Sequence, residues 1–485
     1  MSEPTPLVFP MSAGRARARG LRLAAALIVG AVLATLAGAR PASAQTITEA
    51  LAYAYNTNPQ LLAQRALLRQ TDEGVPQALS NWRPTVTFTG QAGYNRGELN
   101  EGTPCNANTT NTACTSTFFT RELDFRVVQP IYRGGRTEAQ TRQAINLVQS
   151  ARAQTLAVET TVFQAVAQAF FDTYRDQTLV EVNRNNENVL KKQLDATRDR
   201  FRVGEVTRTD VAQAESSLAQ ATANRIASEG QLEVSRAEYT RAVGHPPGRL
   251  ILASERPVLP NTRDEVLQLA STDNPAVISA NFAEAAARDN IDVVRGQLLP
   301  QINVIGDLNR SYSPAITIHT AREDTASVTA QLTMPLYEGG QIYSQTRQAE
   351  QVVGQRRSQV DDARRAAVQS ATQFWETLMA ARASVSSFGA AVKAAQIALE
   401  GTQQEALVGS RTVLDVLISE QQLFTTESQL VGAQHDAALA EFNVAAAIGR
   451  LIAPELKLPV QLYDMDKHYR AVKDKLYGFD SGLKE

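Results

Sequence analysis

PLYEGG, residues 335–340, stands where an alternating stretch gives way to a helical one, and TRQA follows at 346–349. PIYRGG at 130–135 is likewise followed by TRQA at 141–144, so one corner occurs twice at an offset of 205 residues (335 minus 130). Pro donates no backbone hydrogen bond and Gly-Gly admits left-handed dihedrals, so each corner is expected to end a strand and start a helix. The two corners comprise Pro130, Gly134 and Gly135, and Pro335, Gly339 and Gly340.

The likeness extends outward from the corners. Asn58-Pro59 and Trp82-Arg83-Pro84 match Asn274-Pro275 and Leu298-Leu299-Pro300 at an offset of 216 (300 minus 84). FRVGEVTRTDV at 201–211 matches ALVGSRTVLDV at 406–416, so Gly204 corresponds to Gly409, Asp210 to Asp415 and Glu215 to Glu420. Gly244 and Gly449 close the two copies at the shorter offset. The first copy thus carries eleven extra residues (216 minus 205) between Pro84 and Pro130. Such self-similarity reads as an internal two-fold repeat, with units at 45–258 and 259–470 and a tail at 471–485.

Each unit holds two alternating segments before its corner. Val86, Phe88, Gly90, Ala92 and Tyr94 alternate with Thr85, Thr87, Thr89, Gln91 and Gly93, and Leu123, Phe125 and Val127 alternate with Glu122, Asp124 and Arg126. In the second unit Ile302, Val304, Gly306 and Leu308, then Ala326, Val328, Ala330, Leu332 and Met334, are interleaved with mostly polar neighbours. Period two with unlike faces marks strands with different media on their two sides, expected at about 84–96, 119–130, 300–310 and 325–335. About ten residues is the length that crosses a bilayer when tilted. Four strands cannot close a barrel alone, and an open edge in lipid leaves unpaired backbone groups. Other copies of the chain must complete the sheet, and three copies give twelve strands.

The corners lead into stretches without Pro at 136–202 and 341–407, each 67 residues. As helix each reaches roughly 100 Å at 1.5 Å per residue. Both are rich in Ala, Gln, Arg and Glu, with apolar positions at helical spacing such as Leu156, Phe163, Val166, Phe170 and Tyr174. Helices of that length pack laterally on neighbours as coiled coil. Val203-Gly204 and Val408-Gly409-Ser410 end them, and Thr and Asp open return helices at 209–242 and 412–448. Segments 246–272 and 451–469, mixing Pro, Leu and Val, are expected beside the helices at mid-height.

Residues 1–44 read as a signal peptide: Arg15, Arg17, Arg19 and Arg22 precede the apolar run 23–37, and Ala42-Ser43-Ala44 forms the cleavage site. Cleavage removes five Arg and one Glu, taking the formal charge from -2 to about -6, which argues against nucleic acid as a partner. No later stretch suits a transmembrane helix, so a membrane role requires strands. Cys105 and Cys114, in a Gly/Asn/Thr-rich loop of an exported chain, favour a disulfide over free thiols. His245, His319, His435 and His468 are scattered, and HExxH, GxSxG and phosphate-loop motifs are missing, so neither an enzyme, a metal site nor a cofactor is expected.

At these points, above all Pro300-Gln301-Ile302, 335–340 and VGSRTVLDV at 408–416, the chain resembles the TolC family of bacterial outer membrane efflux proteins, from about Thr46 to Tyr469. The resemblance implies an α+β membrane protein of Gram-negative bacteria: a homotrimer whose twelve-strand outer membrane β-barrel, four strands per chain, continues into a long periplasmic α-helical barrel. It implies a passive exit duct for drugs, small toxic compounds or exported proteins in tripartite efflux or type I secretion. The partners implied are a periplasmic adaptor protein, an inner-membrane RND or ABC pump, and outer membrane lipid. By the family's pattern Arg411 ties to Thr209 and Asp210 in the closed gate, Asp415 forms the constriction, and Val203, Gly204, Val408, Gly409 and Ser410 are adaptor-docking tips. A family Tyr that assists closure is Ala406 here, and Ile418 stands where a second Asp ring can occur. The competing reading is a trimeric coiled-coil surface adhesin or a periplasm-spanning structural protein, which would not bring each long helix back.

Overall fold

The computed structural model describes residues 45–99, 114–252, 256–312 and 322–480. The signal peptide and Cys105, with its disulfide assignment, lie outside the described residues, as does His319. Helices α1 (Ile47–Thr57), α2 (Pro59–Asp72) and α3 (Gly74–Ser80) lead into strands β1 (Thr85–Leu99) and β2 (Cys114–Arg133). Helix α4 (Arg136–Arg202) then runs away from the sheet and α5 (Arg208–Val243) returns. The same order follows with α6 (Arg263–Thr272), α7 (Pro275–Arg295), β3 (Gln301–Tyr312), β4 (Glu323–Thr333), α8 (Gln341–Leu407) and α9 (Val413–Ala447), before a short α10 (Met465–Val472).

Local chemistry explains the element ends. Asn58 and Asn274 cap α2 and α7 by accepting from Gln60 N and Ala276 N at 2.9 Å, with Pro59 and Pro275 as the first helical residues. Gly135 and Gly340 precede α4 and α8 with φ of 72° and 83°, left-handed values that favour glycine. The long helices hold together at mid-height. There Phe163, Val166, Phe170 and Phe171 of α4 pack with Leu51, Tyr239, Phe442 and Leu451. Phe171 and Phe442 meet with ring centroids 5.5 Å apart. Each such buried side chain contributes about 1.5–3 kcal/mol relative to exposure. Glu159, buried in this layer, accepts from Ala453 N at 2.7 Å, and Gln45 bridges to Leu250.

The four strands form one antiparallel sheet in the order β1-β2-β3-β4, leaving β1 and β4 as its edges. One expectation needs correction: Pro130 does not end its strand. β2 continues to Arg133, and the register shifts between Pro130 and Tyr132. A local bulge lets an interior strand tolerate a residue that cannot donate to the ladder. At the other corner β4 stops at Thr333, two residues before Pro335.

Candidate functional site

The candidate surfaces lie at the two ends of the molecule: the sheet and the tips of the helical hairpins. Register gives the sheet two unlike faces. Phe88 stands opposite Phe125, Phe125 opposite Leu308, and Leu308 opposite Ala326, while Val86, Val127, Gly306 and Val328 make the next row. One apolar face therefore crosses all four strands. Phe88, Val328 and Leu332 on it are 69%, 82% and 66% exposed. The other face carries Thr87, Arg126, Asp307 and Ser327 in one row, with Arg126 and Asp307 3.5 Å apart. Asn309 donates to Glu122 at 2.7 Å on that polar side. Such a sheet suits hydrocarbon on one side and water on the other. Among the described residues no helix is long and apolar enough to cross a membrane.

The hairpin tips share one construction. Gly204 N donates to Phe201 O at 3.0 Å and Glu205 N to Arg200 O at 2.9 Å; Gly409 N and Ser410 N repeat this to Ala406 O and Glu405 O at 3.3 and 3.0 Å. These paired bonds close a helix end through a left-handed glycine, here with φ of 81° and 82°. The return helices begin with reciprocal caps. Thr207 N and its hydroxyl donate to Asp210 Oδ2 at 2.8 and 2.7 Å, and Asp210 N donates back to Thr207 Oγ1. Thr412 and Asp415 form the same cap at 2.9 and 2.8 Å. Accepting from Thr412, and facing Arg411, holds the Asp415 carboxyl below the ordinary aspartate range. Val203 and Val408 project at the tips, 71% and 81% exposed.

The structure does not bring Arg411 to Thr209 or Asp210. Arg411 Nε donates to Glu405 Oε2 at 2.8 Å, and Asp210 is engaged by its own cap. Arg411 and Asp210 are thus each engaged within their own tip. Glu405 and Thr207 are residues that reasoning from sequence passed over, whereas Thr412 was expected at the start of its return helix. The Thr-x-x-Asp spacing at 207–210, repeated at 412–415, was the available signal for Thr207. Asp415 is half-buried, while Ile418 is 58% exposed and lines a groove with Leu414, Gln213, Gln220 and Gln421. That groove, about 440 Å³, separates α5 from α9. Leu190, Leu194, Ala214, Ala221, Val413 and Leu417 form the small apolar cluster that joins the two hairpins near their tips.

A two-faced sheet joined through glycine corners to hairpins of this length has a counterpart among known proteins. The sequence profile of the outer membrane efflux protein family matches residues 50–245 and 266–450. The chain belongs to that family. Outer membrane efflux protein BepC of Brucella suis is 34% identical over 456 residues, which cover 94% of this chain and 95% of the relative. Outer membrane protein TolC of Vibrio cholerae is 26% identical over 432 residues, covering 88% and 95%. The fold matches the crystal structure of the Campylobacter jejuni CmeC outer membrane channel with a TM-score of 0.71 at 15% identity, over 88% of this chain and 89% of that one. As an outer membrane efflux protein the chain is a transport protein of the outer membrane that spans into the periplasm. Its relatives are channel proteins rather than enzymes.

Proposed function

We propose that three copies of this chain join edge to edge, β4 of one beside β1 of the next, into a twelve-strand barrel that continues as a helical tunnel. The observation that carries this reading is the sheet itself, apolar on one face, polar on the other and open at both edges. Closing it removes the unpaired backbone groups, turns the apolar face to lipid and leaves the polar face to line a water-filled lumen. The tunnel is a passive exit duct in tripartite efflux or type I secretion, for drugs, small toxic compounds or exported proteins. An inner-membrane RND or ABC pump supplies the energy, through a periplasmic adaptor.

The exposed tips around Val203-Gly204 and Val408-Gly409-Ser410 are the adaptor's contacts. The polar groove between α5 and α9 is the seam along which the hairpins part, because amide side chains there cost little to rehydrate. Asp415 borders the constriction, and Arg411, released from Glu405, reaches the Thr209–Asp210 tip of an adjacent hairpin when the duct closes. Single-channel conductance in planar bilayers tests the gate: Arg411→Ala and Asp210→Ala should each raise it. Unchanged conductance in both removes the gate assignment. Deleting the gene should sensitise cells to dyes, detergents and antibiotics; an unaltered sensitivity would favour a purely structural protein.

A further inference from the structure

The two corners are not packed alike. At the first, a Cβ placed on Gly134 would meet Gly296 O and lie 2.7 Å from Leu299 Cβ, because the turn before β3 presses against it. At the second, a Cβ on Gly339 or Gly340 would meet nothing within 4 Å. β2 has β3 beside it, whereas β4 is an open edge. A cavity of about 200 Å³ opens at this second corner, bordered by Leu298, Met334, Leu336, Tyr337, Ile342 and Tyr343. Leu336 and Tyr337 are 89% and 87% exposed.

The offsets identify what belongs there. Leu299 precedes Pro300 as Arg83 precedes Pro84, so the turn that fills the first corner corresponds to 80–83 before β1, the other open edge. In a sheet closed by copies, the second corner of one chain receives the 80–83 turn of the next. Arg83 also carries a passenger: its Nη1 donates to Lys475 O at 2.7 Å. Arg152 meets Asp466 at the start of α10 and stacks on Tyr469, and it lies 16 residues down α4 (152 minus 136), about 24 Å below the corner. The tail therefore climbs from there to the foot of β1. Beyond Arg83 it presents Leu476, Tyr477 and Phe479, with Phe479 showing no loss of exposure on folding at 108%. Unpartnered apolar side chains thus stand at one edge of the sheet, and at the other an unfilled cavity in which Glu338 and Gln341 share the wall with the apolar and aromatic side chains.

We propose that the segment Leu476–Phe479 of one copy, held on Arg83, lies across the second corner of the neighbouring copy and seats an aromatic ring in its cavity. The inference rests on the closed-barrel reading and adds a fastening outside the strands. It makes the tail part of the subunit seam.

Inter-chain disulfide formation tests it, using the full chain reconstituted in liposomes with Cys105→Ser and Cys114→Ser. Phe479→Cys with Leu336→Cys should give covalently linked multimers on a non-reducing gel, and neither single variant should. A second pair reports the seam independently. Val128 stands opposite Ile305, and the offsets of 205 (333 minus 128) and 216 (305 minus 89) place Thr333 opposite Thr89 of the next copy. If Thr89→Cys with Thr333→Cys links chains while the tail pair does not, the tail inference fails alone. If neither pair links chains, it fails together with the barrel. Strong quenching of a bimane at Phe479→Cys by lipids brominated near the headgroup, without inter-chain linkage, places the tail in lipid and overturns the proposal.

Discussion

Arg411 Nε donates to Glu405 Oε2 at 2.8 Å, so the guanidinium that follows the second Val-Gly turn is held by the helix leading into it. Both side chains are about half exposed, and such pairs contribute little to stability. Their consequence is the choice of partner. Glu405→Gln should leave the melting temperature unaltered but free Arg411 for a neighbouring hairpin, lowering conductance, opposite in sign to Arg411→Ala. Bilayer recordings on both variants check the pair; a change of the same sign in each would show that Glu405 does not restrain Arg411.

Asp415 keeps its charge to lower pH than an ordinary aspartate, because Thr412 donates to it and Arg411 lies near. A carboxyl depressed in the folded state contributes stability above its unfolded pKa, and that contribution fades as pH falls through the folded value. Block of the channel by multivalent cations should accordingly persist below about pH 4, the ordinary aspartate value. Thr412→Val removes the hydroxyl donor and should move the loss of block to higher pH. Titrating the block in both proteins measures the shift, and coincident curves would contradict it.

The first corner separates two glycines by what surrounds them. Gly135→Ala places a Cβ in open space at φ 72° and should cost only the left-handed conformation, about 1–2 kcal/mol. Gly134→Ala adds a collision with the Gly296–Leu299 turn and should cost more than about 4 kcal/mol or prevent assembly. Thermal unfolding and the yield of membrane-inserted protein rank the two.

Glu159 is buried at mid-height, and that burial raises its pKa against the Ala453 N–H and the more distant Arg65. A carboxyl raised in the folded state favours folding while protonated, and its contribution is lost as pH rises through the folded value. Glu159→Gln keeps an acceptor for Ala453 N without the charge, so it should stabilise the protein at neutral pH with a gain that disappears below about pH 4. Glu159→Leu leaves that N–H unpaired and should forfeit about 1–3 kcal/mol of the gain. Melting curves across pH for the three proteins decide it.

The sheet was legible because Val86, Phe88 and their successors alternate with threonines, and a two-sided medium imposes that period. The helical character of 136–202 and 341–407 was equally plain, since no Pro interrupts either stretch. The continuation of β2 through Pro130 was not, because the bulge that admits a proline forms only against β3. At the tips the backbone was readable from Gly204 and Gly409, whose left-handed φ explains the residue. The partner of Arg411 was hidden. Glu405 lies six positions earlier, on the helix that enters the turn, and becomes its neighbour only when the turn folds back.

The equality of α4 and α8, 67 residues each, makes them a matched gauge. Both tips hang at one depth below their corners and together form a level ledge. Adding a residue to one helix alone would lower its tip by about 1.5 Å and swing it through about 100°. Length here can change only in step: whatever alters one strut must alter the other by the same amount, or the ledge tilts.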